Sequence, residues 1–380
     1  MGLNERLSRM AARRAHVLIV EVPGAWVIRL HLEGALRERG WRMALSPAEA
    51  DVMAVCGRPG PQMRDVIDHL WAHMPGPRVR VDLVDMSAAD ALDVAGERLL
   101  DVDTHYQDAR SRLLEPEMNP SSGGHGDMDH GGMGHGDMEM APGGIPLAEG
   151  QEDRDGLEMD VLHLPLGPVL PHWPAGLVLH CTLQGDVITE AQGHLVDAPT
   201  GPTSGSPATS SQHGNLTYPP AESRAPAWRW DNIARLLALA GWDDAAARCR
   251  LIRDECLTNG HGRVDEAAPQ QLRRHITRSR ALRWSLRGLG RLDVQGLEDR
   301  GLPRHLAGDT YDRLVGMLDR AVNGEGADPA ATGSGEQGTT MTSPEAVAAA
   351  VVGLELAAAR LVVAGLDLPP LSRATEVSHA

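Results

Sequence analysis

Short apolar runs alternate with segments of helical periodicity near the N-terminus, and this alternation constrains the fold more than any other feature. The apolar runs lie at residues 16–22, 50–55 and 79–84, and turn residues bound them, as is typical of buried strands. Between them, apolar side chains recur at helical spacing in residues 27–39 and 63–73. Strands that alternate with helices predict a parallel sheet with right-handed crossovers. We therefore expect an N-terminal α/β domain with a flavodoxin-like fold.

Segments rich in Gly, Pro and Ser divide the rest of the chain, and the part after them is expected to be α+β and mainly helical. Gly241 is expected to interrupt one helix, residues 272–289 are expected to form another, and Ser343 to cap the last. The expected units are the α/β domain at 14–114, a flexible His/Met/Gly-rich linker at 115–156, a β-hairpin region at 157–196, a disordered linker at 197–227, a helical body at 228–322, a flexible stretch at 323–342 and a C-terminal helix at 343–366.

All basic side chains are arginines: the 36 Lys+Arg contain no lysine, against 52 Asp+Glu and a formal charge of −16. Without lysine there is no Walker P-loop, no Schiff-base lysine and no Ser-x-x-Lys nucleophile. The acidic balance argues against nucleic acid as a partner. Glu355 and Arg360 interrupt the longest apolar stretch, 346–366, so we expect a buried helix and no direct membrane span. The charged N-terminus lacks a signal-peptide pattern, which favours a cytoplasmic chain.

The four cysteines are scattered, as in proteins of a reducing compartment, and no two form a Cys-x-x-Cys pair. They are Cys56, Cys181, Cys249 and Cys256. The last two are seven apart and share a helical face, which fits either a thiol ligand pair or two small core residues. Core packing is the usual role of free cysteines and is the interpretation we favour.

A five-residue repeat of His, Gly and Met is the most unusual local pattern in the chain. Thioether and imidazole ligands together suit copper, and imidazole alone also suits nickel. The candidate metal ligands are His125, Met128, His130, Met133, His135, Met138 and Met140. The alternative is an expanded flexible linker, because ordering so many residues around an ion costs about 1 kcal/mol or more for each.

Three weaker patterns have a functional and a structural interpretation. Asp309 and Asp312 flank Tyr311 and suggest either acid–base chemistry or an acidic first helical turn. Histidines at 163, 172 and 180 could meet on one face of a sheet as metal ligands. The arginines between 273 and 291 form a basic band, which is either an electrostatic docking surface or a solvated face.

Residues 46–81 read SPAEADVMAVCGRPGPQMRDVIDHLWAHMPGPRVRV. This stretch resembles the cluster-carrying small subunit shared by complex I and the nickel–iron hydrogenases. In that family, Ser-Pro precedes an Ala-Asp strand, a Gly follows the strand, and a helix ends in Met-Pro-x-Pro. The matching residues are Ser46, Pro47, Ala50, Asp51, Gly57, Met63, Met74, Pro75 and Pro77.

The cysteines that hold the four-iron cluster of this family are missing here. The first strand ends in VPGA at residues 22–25, the later strand runs into DLVD at 82–85, and the sequence has no Cys-Pro-Pro turn. Cys56 lies at the end of the second strand, where the family has an apolar residue. The resemblance therefore implies a copy that has lost its cluster, and we expect no iron–sulfur cluster.

Residues 164–188 read LPLGPVLPHWPAGLVLHCTLQGDVI and resemble the opening of the partner subunit, the quinone-site subunit of complex I or the large subunit of membrane-bound hydrogenases. The matching residues are Gly167, Pro168, Pro171, Gly185 and Ile188. Leu170 replaces the family histidine, and His172 lies two places away. Segments 278–280, 287–290 and 308–313 resemble helical parts of the same subunit.

The order of the two resemblances predicts a fused, degenerate and non-catalytic subunit of a complex I-like or membrane-hydrogenase-like assembly. Its partners would be the other subunits of a membrane-associated redox complex, and it would lie at the inner face of the cell membrane. Two alternatives stay open: a copper- or nickel-binding or delivery protein, and an active NADH-quinone oxidoreductase subunit. Both halves are expected to pack through an apolar interface that Trp173 anchors.

Overall fold

The computed structural model describes residues 12–84, 86–114, 149–152, 158–197, 221–258, 267–323 and 342–370. Its first sheet has four parallel strands in the order β2-β1-β3-β4. The strands are β1 (His16–Glu21), β2 (Arg42–Met43), β3 (Val52–Cys56) and β4 (Val79–Leu83). Every residue of β3 is buried, because helices cover both faces of a parallel sheet. The predicted parallel sheet is confirmed; the short edge strand β2 was not anticipated.

Four helices accompany this sheet in the described part of the chain, and the apolar sides of the first three pack into its core. They are α1 (Trp26–Arg39), α2 (Pro61–His73), α3 (Ala88–Leu99) and α4 (Val102–Leu114). From α1, Ile28 and Leu32 pack into this core, and from α2, Met63 and Ile67. The same core accepts Val178 from the second sheet, so the α/β part shares its core with a strand of that sheet.

The second sheet is an antiparallel meander of four strands in the order β5-β6-β7-β8. The strands are β5 (Glu149–Glu152), β6 (Glu158–Leu166), β7 (Leu177–Gln184) and β8 (Val187–Leu195). Along β7, Leu177, Leu179, Cys181 and Leu183 are all buried in a second core. Alternation of side chains in a strand thus presents one apolar face to the C-terminal helices.

Helices dominate the C-terminal part. The first six are α5 (Ala221–Leu239), α6 (Asp243–Thr258), α7 (Ala267–Arg278), α8 (Arg280–Leu286), α9 (Val294–Asp299) and α10 (Thr310–Asn323). Gly241, at φ +77°, separates α5 from α6 as predicted, since a left-handed residue ends a helix. The predicted single helix 272–289 is wrong, because Ser279 caps a new helix by accepting the Leu282 N–H at 3.2 Å.

The predicted single C-terminal helix 343–366 is also wrong. It consists of α11 (Pro344–Val351) and α12 (Leu356–Gly365). Between them, Ile188 of β8 donates its N–H to the Leu354 carbonyl at 2.9 Å, and Gly353 donates to the Ile188 carbonyl at 2.8 Å. The segment thus pairs with the sheet, and Gly353 adopts φ +83° to allow it.

Two expected boundaries need correction. Strand β5 lies inside the segment 115–156 that was predicted to be a linker throughout, and α5 begins before the expected end of the linker at 227. The rest of these linkers and most of 323–342 lie outside the described residues. Within the described ranges, none of the helices has both the length and the apolar content needed to cross a bilayer.

Candidate functional site

Six charged side chains meet where the α/β part contacts the helical part, and we call them the junction cluster. Three come from the α/β part. Glu21 lies at the carboxyl end of β1, and Arg29 and Glu33 lie one turn apart on α1. Arg29 Nε lies 2.5 Å from Glu21 Oε2, and Arg29 Nη1 lies 2.5 Å from Glu33 Oε1. The spacing of four residues along α1 allows the second pair.

The other three members come from the helical part. Asp231 and Arg235 lie on α5, and Arg253 lies on α6. The carboxylate oxygens of Asp231 lie 2.6 Å from a guanidinium nitrogen of Arg29, 3.0 Å from one of Arg235 and 2.7 Å from one of Arg253. Arg253 also reaches Glu33 at 2.6 Å, and Arg235 reaches Glu21 at 3.2 Å. Each arginine therefore bridges acids, and contacts cross the junction in both directions.

The junction cluster is largely buried and consists of three acids and three arginines; Arg253 also pairs with Asp254, beside the cluster, at 2.9 Å. Arg253 is fully buried and Asp231 is 4% exposed. Burial alone would raise the pKa of Glu33, but the charges of Arg29 and Arg253 outweigh it and lower the pKa to about 2. The same competition leaves the pKa of Asp231 well below its usual range. Both acids are therefore ionised at neutral pH, as a buried ion network requires.

A separate contact, between the α/β part and the end of the second sheet, lies at the start of α2. Asp197, just after β8, accepts the N–H groups of Gln62 at 3.0 Å and Met63 at 3.2 Å. Gln62 Oε1 accepts the Asp197 N–H at 2.8 Å in return. This is a capping arrangement in which the capping residue comes from a distant part of the chain. It fixes the end of the second sheet against the first domain.

A cleft with a cavity volume of about 220 Å³ opens beside the junction cluster. Leu18 and Ile19 of β1 and Leu170 form part of an apolar wall. The members of the junction cluster other than Arg253 form a polar end together with His172 and Arg250. Burial, and then the charge of Arg250, lower the pKa of His172 to about 4, so its imidazole is neutral at pH 7. The cleft thus offers a neutral hydrogen-bonding group between an apolar wall and buried charges.

The loop between β6 and β7 places His172 at this cleft. Trp173, which is 5% exposed, donates its indole N–H to the Leu177 carbonyl at 2.8 Å and closes the loop. Arg360 of α12 donates to the Pro171 carbonyl at 2.8 Å. His172 itself has φ +61°, an unfavourable conformation for a residue with a side chain that the surrounding contacts must hold.

Trp173 does not anchor an apolar interface as the sequence suggested. It belongs to the second core, with the inner face of the second sheet and the C-terminal helices. Apolar contact with the first core comes instead from Val178 and Val196, whereas α1 contacts the helical part through the junction cluster and through Trp26, which packs against the helical core. The reason is that the indole N–H of Trp173 finds its partner within its own loop, which directs the ring inward.

All four cysteines are buried. Burial raises the pKa of Cys56 and Cys249, and it raises the pKa of Cys181 and Cys256 to about 11. The thiols are therefore protonated at neutral pH. Cys249 and Cys256 lie in the core of the helical part, which agrees with packing rather than ligation.

The seven candidate metal ligands of the His/Met repeat, from His125 to Met140, lie outside the described residues. On the second sheet, His180 stacks on His194 with 5.0 Å between ring centroids, while His163 contacts Thr182 at 3.2 Å. Across the parts of the chain that the structure describes, no group of three or more His, Cys, Asp or Glu side chains has a metal-binding arrangement.

Asp309 and Asp312 have a structural role at the start of α10. Asp309 accepts the Asp312 N–H at 3.0 Å, and Asp312 accepts the Asp309 N–H at 3.0 Å. This reciprocal pairing is a capping box, so the acidic-turn interpretation is confirmed. Asp309 also accepts the Gly288 N–H at 2.8 Å and thereby ties α10 to the end of α8.

Sequence reasoning did not identify the junction cluster. Arg29 and Glu33 alternate with apolar residues on a helix face, and that interruption was the only local signal. Their partners lie 202 and 220 residues away along the chain.

Neither the protein-family models nor the curated proteins give a match to this chain.

Proposed function

We propose that the protein is a non-catalytic fused subunit of a redox assembly related to complex I and the membrane-bound hydrogenases. Its N-terminal part would correspond to the small subunit with a flavodoxin-like fold. The strand order β2-β1-β3-β4 supports this, because it reproduces the first four strands of the flavodoxin-like order. The meander after it would correspond to the start of the quinone-site subunit.

The junction cluster is the observation that carries the proposal. It joins α1 of the small-subunit-like part to α5 and α6 of the other part through charges that are 17% exposed or less. Ionised groups that are buried and shared in this way hold two parts in one fixed relation, because separating them leaves charges without partners. A fused subunit that organises its neighbours needs such a fixed relation.

The cysteines support the non-catalytic character of the proposal. Cys56 lies at the end of β3 and is fully buried, and burial, followed by the charge of Glu21, raises the pKa of its thiol. A cluster ligand must be a thiolate, and this environment favours the protonated thiol. Cys56 thus serves the packing of the first core.

The test is isolation of the tagged full-length chain from its source cells in mild detergent. We expect co-isolation, in fixed ratio, of subunits that resemble those of complex I or membrane-bound hydrogenase at the cytoplasmic face of the membrane. The chain alone should hold no iron or sulfide and reduce no quinone. A chain that stays alone in every fraction, or that reduces quinone unaided, would contradict the proposal.

The cleft favours a second candidate function, that of an active quinone-site subunit. Its apolar wall and the neutral imidazole of His172 suit an amphipathic ring that accepts a hydrogen bond. Titration with a short-chain ubiquinone, followed through tryptophan fluorescence, tests it. His172→Phe should abolish the response and His163→Phe, on the exposed face of β6, should not. Equal responses in both variants would refute a quinone site at this cleft.

The copper or nickel alternative rests on the His/Met repeat alone and stays a prediction of the sequence. Calorimetric titration of the full chain with either ion tests it. Replacing His125, His130 and His135 by glutamine should remove the heat of binding if the repeat holds the metal.

A further inference from the structure

Arginines and one exposed tryptophan crowd the outer side of α7 and α8. Trp284 is 85% exposed, the most exposed large apolar side chain of the described residues. We define the arginine–tryptophan surface as Arg278, Arg280, Trp284, Arg287 and Arg291, all of which are exposed. A tryptophan in contact with water over most of its surface is unusual, because its ring gains more than most side chains from burial.

The packing of α8 fixes the direction in which this surface points. Leu282 and Leu286 are fully buried in the core of the helical part. Arg280 and Trp284 are four residues apart and so lie on the opposite side of the same helix. The Ser279 cap defines where α8 begins and therefore which side chains face outward. The exposure of Trp284 thus follows from the fold rather than from a loose end.

The arginines of this surface have no acidic partner in the described part of the chain, whereas other arginines of the same helices do have partners. Arg273 Nε lies 2.5 Å from Asp319 Oδ1, and the guanidinium of Arg283 lies 5.7 Å from the centroid of the Tyr311 ring. The four surface arginines form no such contact with any described side chain. Their charges are therefore directed at the solvent.

The local charge is opposite in sign to that of the whole chain. Residues 271–291 contain seven arginines and no Asp or Glu, while the full chain has a formal charge of −16. Salt screens charges beyond about 8 Å at physiological ionic strength, so a partner at this surface senses mainly the arginines. A bilayer also offers an apolar layer beneath its charges for the exposed indole of Trp284, which the backbone of a long nucleic acid does not.

We propose that the arginine–tryptophan surface docks on the anionic headgroups of a lipid bilayer. The arginines would pair with lipid phosphate and carboxylate groups, and the indole of Trp284 would lie at headgroup level, where tryptophan is enriched in membrane proteins. The net negative charge elsewhere keeps the other faces away from the bilayer and sets the orientation. The inference rests on the proposed function in naming the membrane surface that the fused subunit would contact.

The test is co-sedimentation of the full-length chain with vesicles. The vesicles contain phosphatidylcholine and phosphatidylserine in equal parts, and vesicles of phosphatidylcholine alone serve as the reference. We expect binding only to the anionic vesicles and a loss of binding at high salt. An arginine near an anionic surface contributes roughly a fivefold factor in affinity, so Arg280→Gln with Arg287→Gln should weaken binding about 25-fold. Trp284→Ser should weaken it roughly tenfold.

The matched control is the double variant Arg42→Gln with Arg64→Gln, which removes two exposed arginines from the α/β part. It changes the net charge by the same amount as Arg280→Gln with Arg287→Gln, and we expect it to bind the vesicles as the unchanged chain does. Thermal unfolding should be the same for all variants. Equal loss in both double variants would overturn the proposal, as would absence of binding to anionic vesicles. Binding of soluble polyglutamate, but not of vesicles, through Arg280 and Arg287 would assign the surface to an acidic protein instead. Vesicle binding is measured without partner subunits, so its failure is independent of co-isolation.

Discussion

Replacing Asp231 by asparagine should destabilise the folded chain by about 3–5 kcal/mol, because this one buried carboxylate pairs with three arginines. Asp231 lies within 3.0 Å of Arg29, Arg235 and Arg253, and it is 4% exposed. Asparagine keeps the size of the side chain but removes its charge. The three arginines of the junction cluster then share only Glu21 and Glu33 within it, so the cluster carries one excess positive charge in a largely buried place.

The assay is equilibrium unfolding in urea, with thermal unfolding as a second readout. For a chain of this size, a loss of 3–5 kcal/mol lowers Tm by about 4–6 °C. The matched control is Asp93→Asn, since Asp93 is 68% exposed and pairs with Arg39 at the surface, where an ion pair contributes less than about 1 kcal/mol. In a double-mutant cycle, Arg253→Met should cost less in the Asp231→Asn background than alone. Equal stability of Asp231→Asn and Asp93→Asn would refute the role of the cluster.

Three further predictions concern the cap, the acids and the thiols. Asp197→Ala removes the carboxylate that caps α2 and should lower the free energy of unfolding in urea by about 1–2 kcal/mol. Glu190→Ala, on the exposed face of β8, should leave it almost unchanged, and similar losses in both variants would discount the cap. The pKa of Glu33 is lowered to about 2 on folding, so its ion pairs stabilise the chain at neutral pH. About 3 kcal/mol of this stabilisation should be lost as the pH falls from about 4 through 2, because Glu33 then becomes protonated. A free energy of unfolding that does not change over that pH range would contradict the lowered pKa of Glu33. Cys181 and Cys256, whose pKa burial raises to about 11, should react with a thiol reagent at pH 8 only after unfolding, and rapid reaction of the native chain would place them at the surface.

Local patterns in the sequence determined the type of most elements. Runs of apolar residues identified β1, β3 and β4, and the alternation with helices identified their parallel arrangement, which the structure confirms. These strands can be identified from the sequence because a strand that is buried on both faces requires a continuous apolar run. Gly241 and Ser343 also acted through local backbone preferences, at a helix end and a helix start.

Tertiary structure alone decided where the second sheet meets the C-terminal helices. Apolar spacing continues from residue 346 to residue 366 and predicts one helix. The hydrogen bonds of Ile188 with Gly353 and Leu354 divide it in two, because the sheet edge offers partners to that backbone. The spacing of apolar side chains shows which face of a helix can be buried. It does not show that a distant strand will form hydrogen bonds with the backbone of residues 353 and 354.

The junction cluster shows the same limit for charged side chains. Arginine and acidic residues on an amphipathic helix predict a solvent-exposed face. The sequence near Arg29 gives no indication that Asp231 is its partner. Burial becomes favourable only when the acids and arginines from three helices and a strand end arrive together, since each charge alone would cost several kcal/mol to desolvate. The sequence supplied the charges, and the packing of α1 against α5 and α6 made them a largely buried network.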